Sequence, residues 1–341
     1  MDKNIKVVGR DLNRVPLHSV VPMSVPFAIG IGPSDFCNFK CNYCFQATDK
    51  GVRDPKMLEF SDFQIIIEQI QKLLSKGNDK LKIIRFIGNG EPFLNKNIAK
   101  MVKYASQKKL ADRYEITTNA SLLTHELTDE LVNSGLTRLI VSIQGVTEEK
   151  YKEVCKYNID LSKLINELTY FYNQSRGNCK LMIKTVNLSV ELAEEKKKFF
   201  DIFEEISDEI SIENVMDACE DIDYTTLLTE EEQKETRYGT ELKEKKCCDS
   251  LFMNMNIHAN GDVDVCGCIY PPLFIGNVYK TSLDELWNGS YHKEIMIKHL
   301  TGKRDEINVC SKCKSITHYN SLETDNLDPY LDEVLEKVKR L

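Results

Sequence analysis

The chain has 341 residues, 42% hydrophobic and 29% charged, with a net charge of −8. That composition belongs to a globular protein with core enough for one large and one small domain, and it excludes a disordered or fibrous chain. No basic patch is evident and no apolar run approaches the ~20 residues that span a bilayer, so neither nucleic acid nor a membrane is an expected partner.

The opening Met-Asp-Lys-Asn-Ile-Lys lacks the basic-then-apolar layout of a signal peptide, so the expected location is cytoplasmic. Twelve cysteines in a cytosolic chain of this size point to metal or redox work rather than to disulfides. Three fall between positions 37 and 44 and six between 247 and 313. Cys155, Cys179 and Cys219 stand apart and read as ordinary buried thiols.

Residues 1–25 carry Pro16 and Pro22 without a clean period and read as an N-terminal extension. The apolar run from Pro26 to Pro33, closed by Gly and Pro, predicts a buried strand feeding a cysteine loop. In that loop Cys37, Cys41 and Cys44 are separated by three residues and then two. Thiolates usually hold all four corners of an iron–sulfur cube. Three ligands leave one iron open, and open metal positions are where chemistry occurs. A zinc knuckle is the other reading of the triple.

Strands and helices then alternate. A helix capped at Ser61 carries Phe63, Ile66, Ile67, Ile70, Leu73 and Leu74 and stops at Gly77. Strands are expected at 81–87, 114–118, 137–143, 180–186 and 209–213. Helices are expected at 97–109, at 124–134 with Thr124 as cap, at 147–155, 161–175 and 191–206. Six such units predict a parallel sheet, either an open barrel or a doubly wound layer. In a barrel the site lies at the C-terminal strand ends. There the second strand runs into Gly88-Asn89-Gly90-Glu91-Pro92, whose glycines let the backbone approach a ligand and whose Glu91 offers an acceptor for an ammonium group. Thr118 and Asn119 follow the third strand, and Ser142 and Gln144 end the fourth. Lys184, a charge inside an apolar run, reads as a carboxylate anchor, a catalytic base or an outward-facing lysine.

Residues 216–246 are acidic and read as a linker with one solvated helix, although Glu213 and Asp217 at its start are candidates to face the site. Beyond it, 252–258 and 262–266 read as strands joined by a tight Asn260-Gly261 turn. A short helix is expected at 283–287. Cys247 and Cys248, Cys266, and the pair Cys310 and Cys313 supply enough thiols for a second four-ligand centre, iron–sulfur or zinc. At the C-terminus Asp328 caps, Pro329 starts, and Leu331, Val334, Leu335 and Val338 form the stripe of a docked helix.

The cysteine triple with Tyr43, followed by Gly88-Asn-Gly-Glu-Pro92, resembles the signature of the radical S-adenosylmethionine (SAM) enzymes. Asn89 interrupts the family's glycine pair. The later cysteines resemble that family's twitch (SPASM-like) domain. The resemblance implies an α/β fold: a partial (β/α)6 TIM-like barrel with a small C-terminal iron–sulfur domain containing a β-hairpin and short helices. It implies an N-terminal extension (1–25), a radical SAM core (26–215), an acidic linker (216–246), a twitch domain (247–320) and a C-terminal helix (321–341). It implies SAM and two [4Fe-4S] clusters as cofactors. Cys37, Cys41 and Cys44 would hold the SAM-binding cluster, and Cys248, Cys266, Cys310 and Cys313 the auxiliary one, with Cys247 as an alternative to Cys248. Tyr43, Gly88, Asn89, Gly90, Glu91, Pro92, Thr118, Asn119, Ser142 and Gln144 would contact SAM.

The activity implied is abstraction of hydrogen from a hydroxylated small molecule, a sugar or an aminocyclitol, giving dehydrogenation or epimerisation. The electron would come from an external donor such as flavodoxin or ferredoxin. Cys268 and Cys247 are candidate hydrogen donors and Lys184 a candidate base. The molybdenum-cofactor enzyme of the superfamily has another cysteine spacing and a terminal Gly-Gly, whereas this chain ends Lys-Arg-Leu. A peptide-modifying maturase is the alternative enzyme. A non-enzymatic iron–sulfur carrier or a zinc scaffold is the alternative of another class.

Overall fold

The apolar runs of the first half pair side by side as parallel strands, and helices return the chain between them. The computed structural model describes residues 14–52, 54–75, 80–266, 269–319 and 322–340. Gly77, Cys268 and the first thirteen residues of the N-terminal extension lie outside the described residues.

After a short helix α1 (Leu17–Val20) come β1 (Ala28–Ile31), α2 (Phe60–Leu74), β2 (Leu81–Phe86), α3 (Ile98–Gln107), β3 (Ala111–Thr118), α4 (His125–Val132) and β4 (Arg138–Ile143). Next are α5 (Glu148–Cys155), α6 (Leu161–Ser175), β5 (Lys180–Val186), α7 (Ala193–Phe203) and β6 (Glu209–Glu213). Their inner faces alternate with faces buried under the helices, as strands of a barrel wall do. Phe63, Ile66, Ile67 and Ile70 of α2 are fully buried against this wall. α2 begins one residue before Ser61, and Ser61 makes no capping bond. Thr124 does cap α4, accepting the Leu127 N–H.

The second half is β7 (Asn254–Ile257), β8 (Asp262–Asp264), β9 (Phe274–Asn277), α8 (Leu283–Asn288), α9 (Ser290–Leu300), α10 (Asn308–Lys312), α11 (Ser315–His318) and α12 (Leu331–Lys339). The hairpin is present, but it is not a separate sheet. The strand order is β6-β5-β4-β3-β2-β1-β7-β8-β9. β7 pairs in parallel with β1, Gly30 opposite Asn256, and β8 and β9 follow antiparallel. A Cβ on Gly30 would sit 2.4 Å from the Asn256 side-chain oxygen, so glycine lets the two strands close.

Residues 216–246 are not a solvated linker. Cys219, Tyr224 and Leu228 alternate with the acidic residues and bury together with Leu188 and Val215, against Tyr43 and Phe45. The charges are paired rather than free: Asp217 with Lys314, Glu220 with Lys312 and Asp221 with Lys50. The segment is a strap over the C-terminal strand ends.

Asp328 does not cap its own helix. Its carboxylate accepts the backbone N–H of Lys246 and of Cys247, at 2.9 and 3.0 Å. α12, with Val334 and Val338 buried, is thereby tied to the start of the second cysteine group. Asp328→Ala leaves two donors without their acceptor and is expected to lower stability by about 1–2 kcal/mol in denaturant melts of the anaerobic protein.

Candidate active site

The cysteine loop is pinned from outside. Lys40 N–H and Asn42 N–H donate to the carbonyls of Cys155 and Val154, both at 2.9 Å. Those carbonyls belong to the last turn of α5, which a helix leaves without internal partners. The three thiols lie within electrostatic reach of one another, and each is held in its neutral form. Burial pushes Cys37 up to about 11 and raises Cys44, while a bond to Cys155 and then burial raise Cys41. Buried thiols that resist ionisation become thiolates when a metal centre compensates their charge, which is the fit expected of cluster ligands. Among the described residues, no three His, Cys, Asp or Glu side chains converge on a single-ion site.

Gly90 brings the Gly-Asn-Gly-Glu turn against this loop. Glu91 N–H donates to Phe36 O at 2.8 Å, and a Cβ on Gly90 would meet the same oxygen at 2.1 Å. Glu91 itself turns inward. Its carboxylate accepts from Phe93 N (2.9 Å), Asn119 N (2.7 Å) and Thr118 Oγ1 (2.5 Å) and is 3% exposed. Two of these bonds fall on Oε1 and one on Oε2, so Glu91 braces the turn against the end of β3. Burial pushes its pKa up to about 7. Pro92 opens the next turn and is buried. Thr118 and Asn119 are braces as well, and Asn119 Nδ2 reaches back to Asn38 Oδ1 in the cysteine loop at 2.9 Å. The expected contacts that do line the cavity, of about 370 Å³, are Tyr43, Gly88, Asn89, Ser142 and Gln144, with Lys184. Tyr43 OH donates to Gln144 Oε1 at 2.5 Å.

Asn89 explains its own departure from glycine. Its amide donates to Asp35 Oδ1 (3.0 Å) and to His258 Nδ1 (3.1 Å). His258 Nε2 then donates to Asp264 Oδ2 at 2.5 Å. The other Asp264 oxygen accepts from Cys266 N (2.8 Å) and Asn256 Nδ2 (2.9 Å). Burial would lower the His258 pKa, but the Asp264 carboxylate outweighs it and raises it. The sequence reading missed His258 and Asp264. Their signal was their position on either side of the Asn260-Gly261 turn, which puts them within reach across the hairpin.

Lys184 faces inward. Its Nζ lies 2.8 Å from Glu213 Oε2, which also accepts from Arg237 Nε at 2.9 Å. Burial works to raise Glu213, yet the two cations outweigh it and hold the carboxyl below its usual range. Asp217, by contrast, points to Lys314 on the outer surface. Lys184, Glu213, Arg237 and Asn256 also line a second cavity of about 230 Å³, whose wall includes Cys248, Cys266, Cys310 and Cys313. Burial raises the thiols of Cys248, Cys266 and Cys310, and Leu273 N–H points at Cys266 Sγ from 3.2 Å. Cys247, adjacent to Cys248, instead packs into the apolar core and lines neither cavity. That placement removes it from reach of a substrate as hydrogen donor. Cys219, read as an ordinary thiol, lines the first cavity with Cys44.

Two measurements test this arrangement. Glu213→Leu removes the buried carboxylate that Lys184 and Arg237 share and is expected to cost about 3–5 kcal/mol by chemical denaturation. Glu91 has a folded pKa above its unfolded value, so its contribution to stability is present in acid and lost as pH rises through about 7. Relative to Glu91→Gln, the wild-type stability should therefore fall between pH 5.5 and 7.5, by at most about 1.4 kcal/mol per pH unit.

Residues 31–187 match the Radical SAM superfamily and residues 247–314 match SPASM, an iron–sulfur cluster-binding domain. A GTP 3′,8-cyclase of Syntrophomonas wolfei is 30% identical over 136 residues, 39% of each chain, so the match spans about two-fifths of that relative's length. Among solved structures, BtrN in complex with AdoMet and 2-DOIA aligns with TM-score 0.55 at 15% identity, covering 88% of this chain and 98% of that one. Streptococcus suis SuiB bound to precursor peptide SuiA aligns with TM-score 0.56 at 20% identity, covering 79% and 66%. At these identities the two structures establish the fold alone. With both segments matched, the chain belongs to the radical SAM superfamily, carries a C-terminal SPASM domain, and uses SAM and [4Fe-4S] clusters as cofactors.

Proposed function

We propose that this radical SAM enzyme oxidises a hydroxylated small molecule, a sugar or an aminocyclitol, by removing a C–H hydrogen, releasing the hydroxyl proton to a base or water, and passing the remaining electron to an auxiliary cluster. Cys37, Cys41 and Cys44 are the proposed ligands of the first cluster, and Cys248, Cys266, Cys310 and Cys313 those of the second. The observation that carries the reading is the shared wall of Lys184, Glu213 and Arg237. It borders the cavity containing Cys44 on one side and the cavity containing the four later cysteines on the other.

The chemistry supplied by SAM and the reduced first cluster is a 5′-deoxyadenosyl radical that takes a hydrogen atom. The chain's own residues hold and shield. Gly88 and Asn89 present backbone to the first cavity, and Tyr43, Ser142, Gln144 and Asn256 offer it polar groups suited to hydroxyls. Phe45 stacks on Tyr270 at 4.1 Å, and Tyr224 OH bonds to Tyr43 O, so the strap side excludes water from a reactive intermediate. The ion-paired ammonium of Lys184 is a donor, which suits an anchor better than a base. An external one-electron donor such as flavodoxin or ferredoxin would reduce the first cluster.

Epimerisation is the second reading, favoured by Cys219 in the first cavity wall, a thiol able to return hydrogen. The mouth covered by the strap suits a small molecule better than a peptide. Anaerobic protein reconstituted with iron and sulfide, then given dithionite, SAM and perdeuterated inositols, aminocyclitols, hexoses or a short peptide, tests these readings. Deuterium in 5′-deoxyadenosine together with a polyol oxidised by two electrons is the expected result. A polyol epimer that Cys219→Ala abolishes would replace dehydrogenation with epimerisation. Deuterium from the peptide alone, or no 5′-deoxyadenosine at all, would overturn the proposal.

A further inference from the structure

The second cavity contains a buried imidazole donor that meets no acceptor among the described residues. His299, on α9, is 1% exposed and lines the cavity together with Cys248, Cys266, Cys310 and Cys313. Cys248 N–H donates to its Nδ1 at 3.3 Å. A backbone N–H can only donate, so Nδ1 keeps its lone pair and the ring proton sits on Nε2. That Nε2 is buried and has no hydrogen-bond partner among the described residues. Arg304, another neighbour lining the cavity, is itself a donor and is directed to Cys313 O at 2.6 Å. A buried N–H in a folded protein is ordinarily satisfied. The acceptors lining this cavity include the cysteine sulfurs and the carboxylates of Glu115, Glu213 and Asp249, and of these only the sulfur of Cys248 belongs to the residue whose backbone already bonds the ring.

We infer that His299 donates an N–H···S hydrogen bond to the auxiliary cluster, at a bridging sulfide or the Cys248 thiolate, and so raises its reduction potential. This rests on the proposed ligation by Cys248, Cys266, Cys310 and Cys313. A donor at the sulfurs withdraws electron density and stabilises the more negative, reduced state. His299 therefore prepares the auxiliary cluster to accept an electron, while touching neither SAM nor substrate. Its backbone bond to Cys248 ties the same ring to the chain that carries a ligand, which fixes where the proton points.

An EPR-monitored redox titration of the reconstituted, SAM-bound holoenzyme tests this. His299→Leu is expected to lower the auxiliary midpoint so that the oxidised-to-reduced ratio rises about tenfold at fixed potential, roughly 59 mV. His299→Gln, which keeps an acceptor for Cys248 N–H and a donor for sulfur, should recover most of that shift. An assembled cluster with unchanged potential in His299→Leu overturns the inference, as does a His299→Gln midpoint as low as that of His299→Leu. Wild-type holoenzyme labelled with 15N-histidine needs no variant to fold. Pulsed EPR should find a weak histidine nitrogen coupling on the reduced auxiliary cluster, and either no coupling or the strong coupling of a direct ligand overturns the role. Iron content separates the two levels: roughly eight irons per chain keep the ligand reading, whereas roughly four defeat it and the inference with it.

Discussion

The parallel pairing of β1 with β7 is the constraint on which the rest of the molecule depends. β1 leads into the first cysteine loop, and β7 leads into the hairpin that carries Cys266. Because they are neighbours in one ladder, with Gly30 opposite Asn256, the loop that carries the first thiols and the hairpin that leads to Cys266 spring from adjacent strands of one sheet. β1 is paired along its length with β2 on one side and β7 on the other, so a one-residue slip would break both ladders and turn every inward residue outward. The distance between the two candidate clusters is therefore set by backbone geometry.

Side chains lock the same seam from within. Asn89 has only two amide protons, and both are used, one toward Asp35 beside the cysteine loop and one toward His258 on the hairpin. His258 passes the connection to Asp264, and Asp264 to the backbone of Cys266. A glycine at position 89 would leave this buried chain of polar groups open in the middle, and half-satisfied networks are costly where the dielectric is low. The same demand explains Glu91. Three donors, Phe93 N in the turn that follows it, Thr118 Oγ1 at the end of β3 and Asn119 N just beyond, converge on it, so the carboxylate ties that turn to the end of β3.

Much of this was legible. The runs 180–186 and 209–213 are strands at those limits: Leu181, Met182 and Ile183 form an apolar run, and Glu-Ile-Ser-Ile-Glu alternates with the period of two that a strand requires. The cysteine spacings and the placement of Gly88 to Pro92 after a strand located both halves of the site. What was not legible depended on partners distant in sequence. α9 escaped because two of its buried positions, His292 and His299, are polar and dilute the apolar stripe. β9 is short and contains Gly276, so its pattern resembled a turn. The acidic count of 216–246 masked Cys219, Tyr224 and Leu228, which are too widely spaced to form a period yet bury together once the strap folds. Asp328 sat in a good capping position, but the backbone of Cys247 competed for its carboxylate and won.

The charges inside the barrel follow from what it must contain. Barrels of this kind usually fill their centres with branched apolar side chains. Here the lumen instead holds Arg85, Arg113 and Arg138 around Glu115, and Lys184 and Arg237 around Glu213. Isolated buried charges are untenable, so each carboxylate is shared between cations. The sharing leaves an excess, and the excess is not uniform. Around the second cavity six cationic side chains, with Arg304 the sixth, face the three carboxylates Glu115, Glu213 and Asp249. Around the first, Lys184 and Arg237 are matched by Glu213 and Asp264. The four later cysteines therefore line the cavity with the positive excess, and Arg304 opposes the burial that raises the Cys310 thiol.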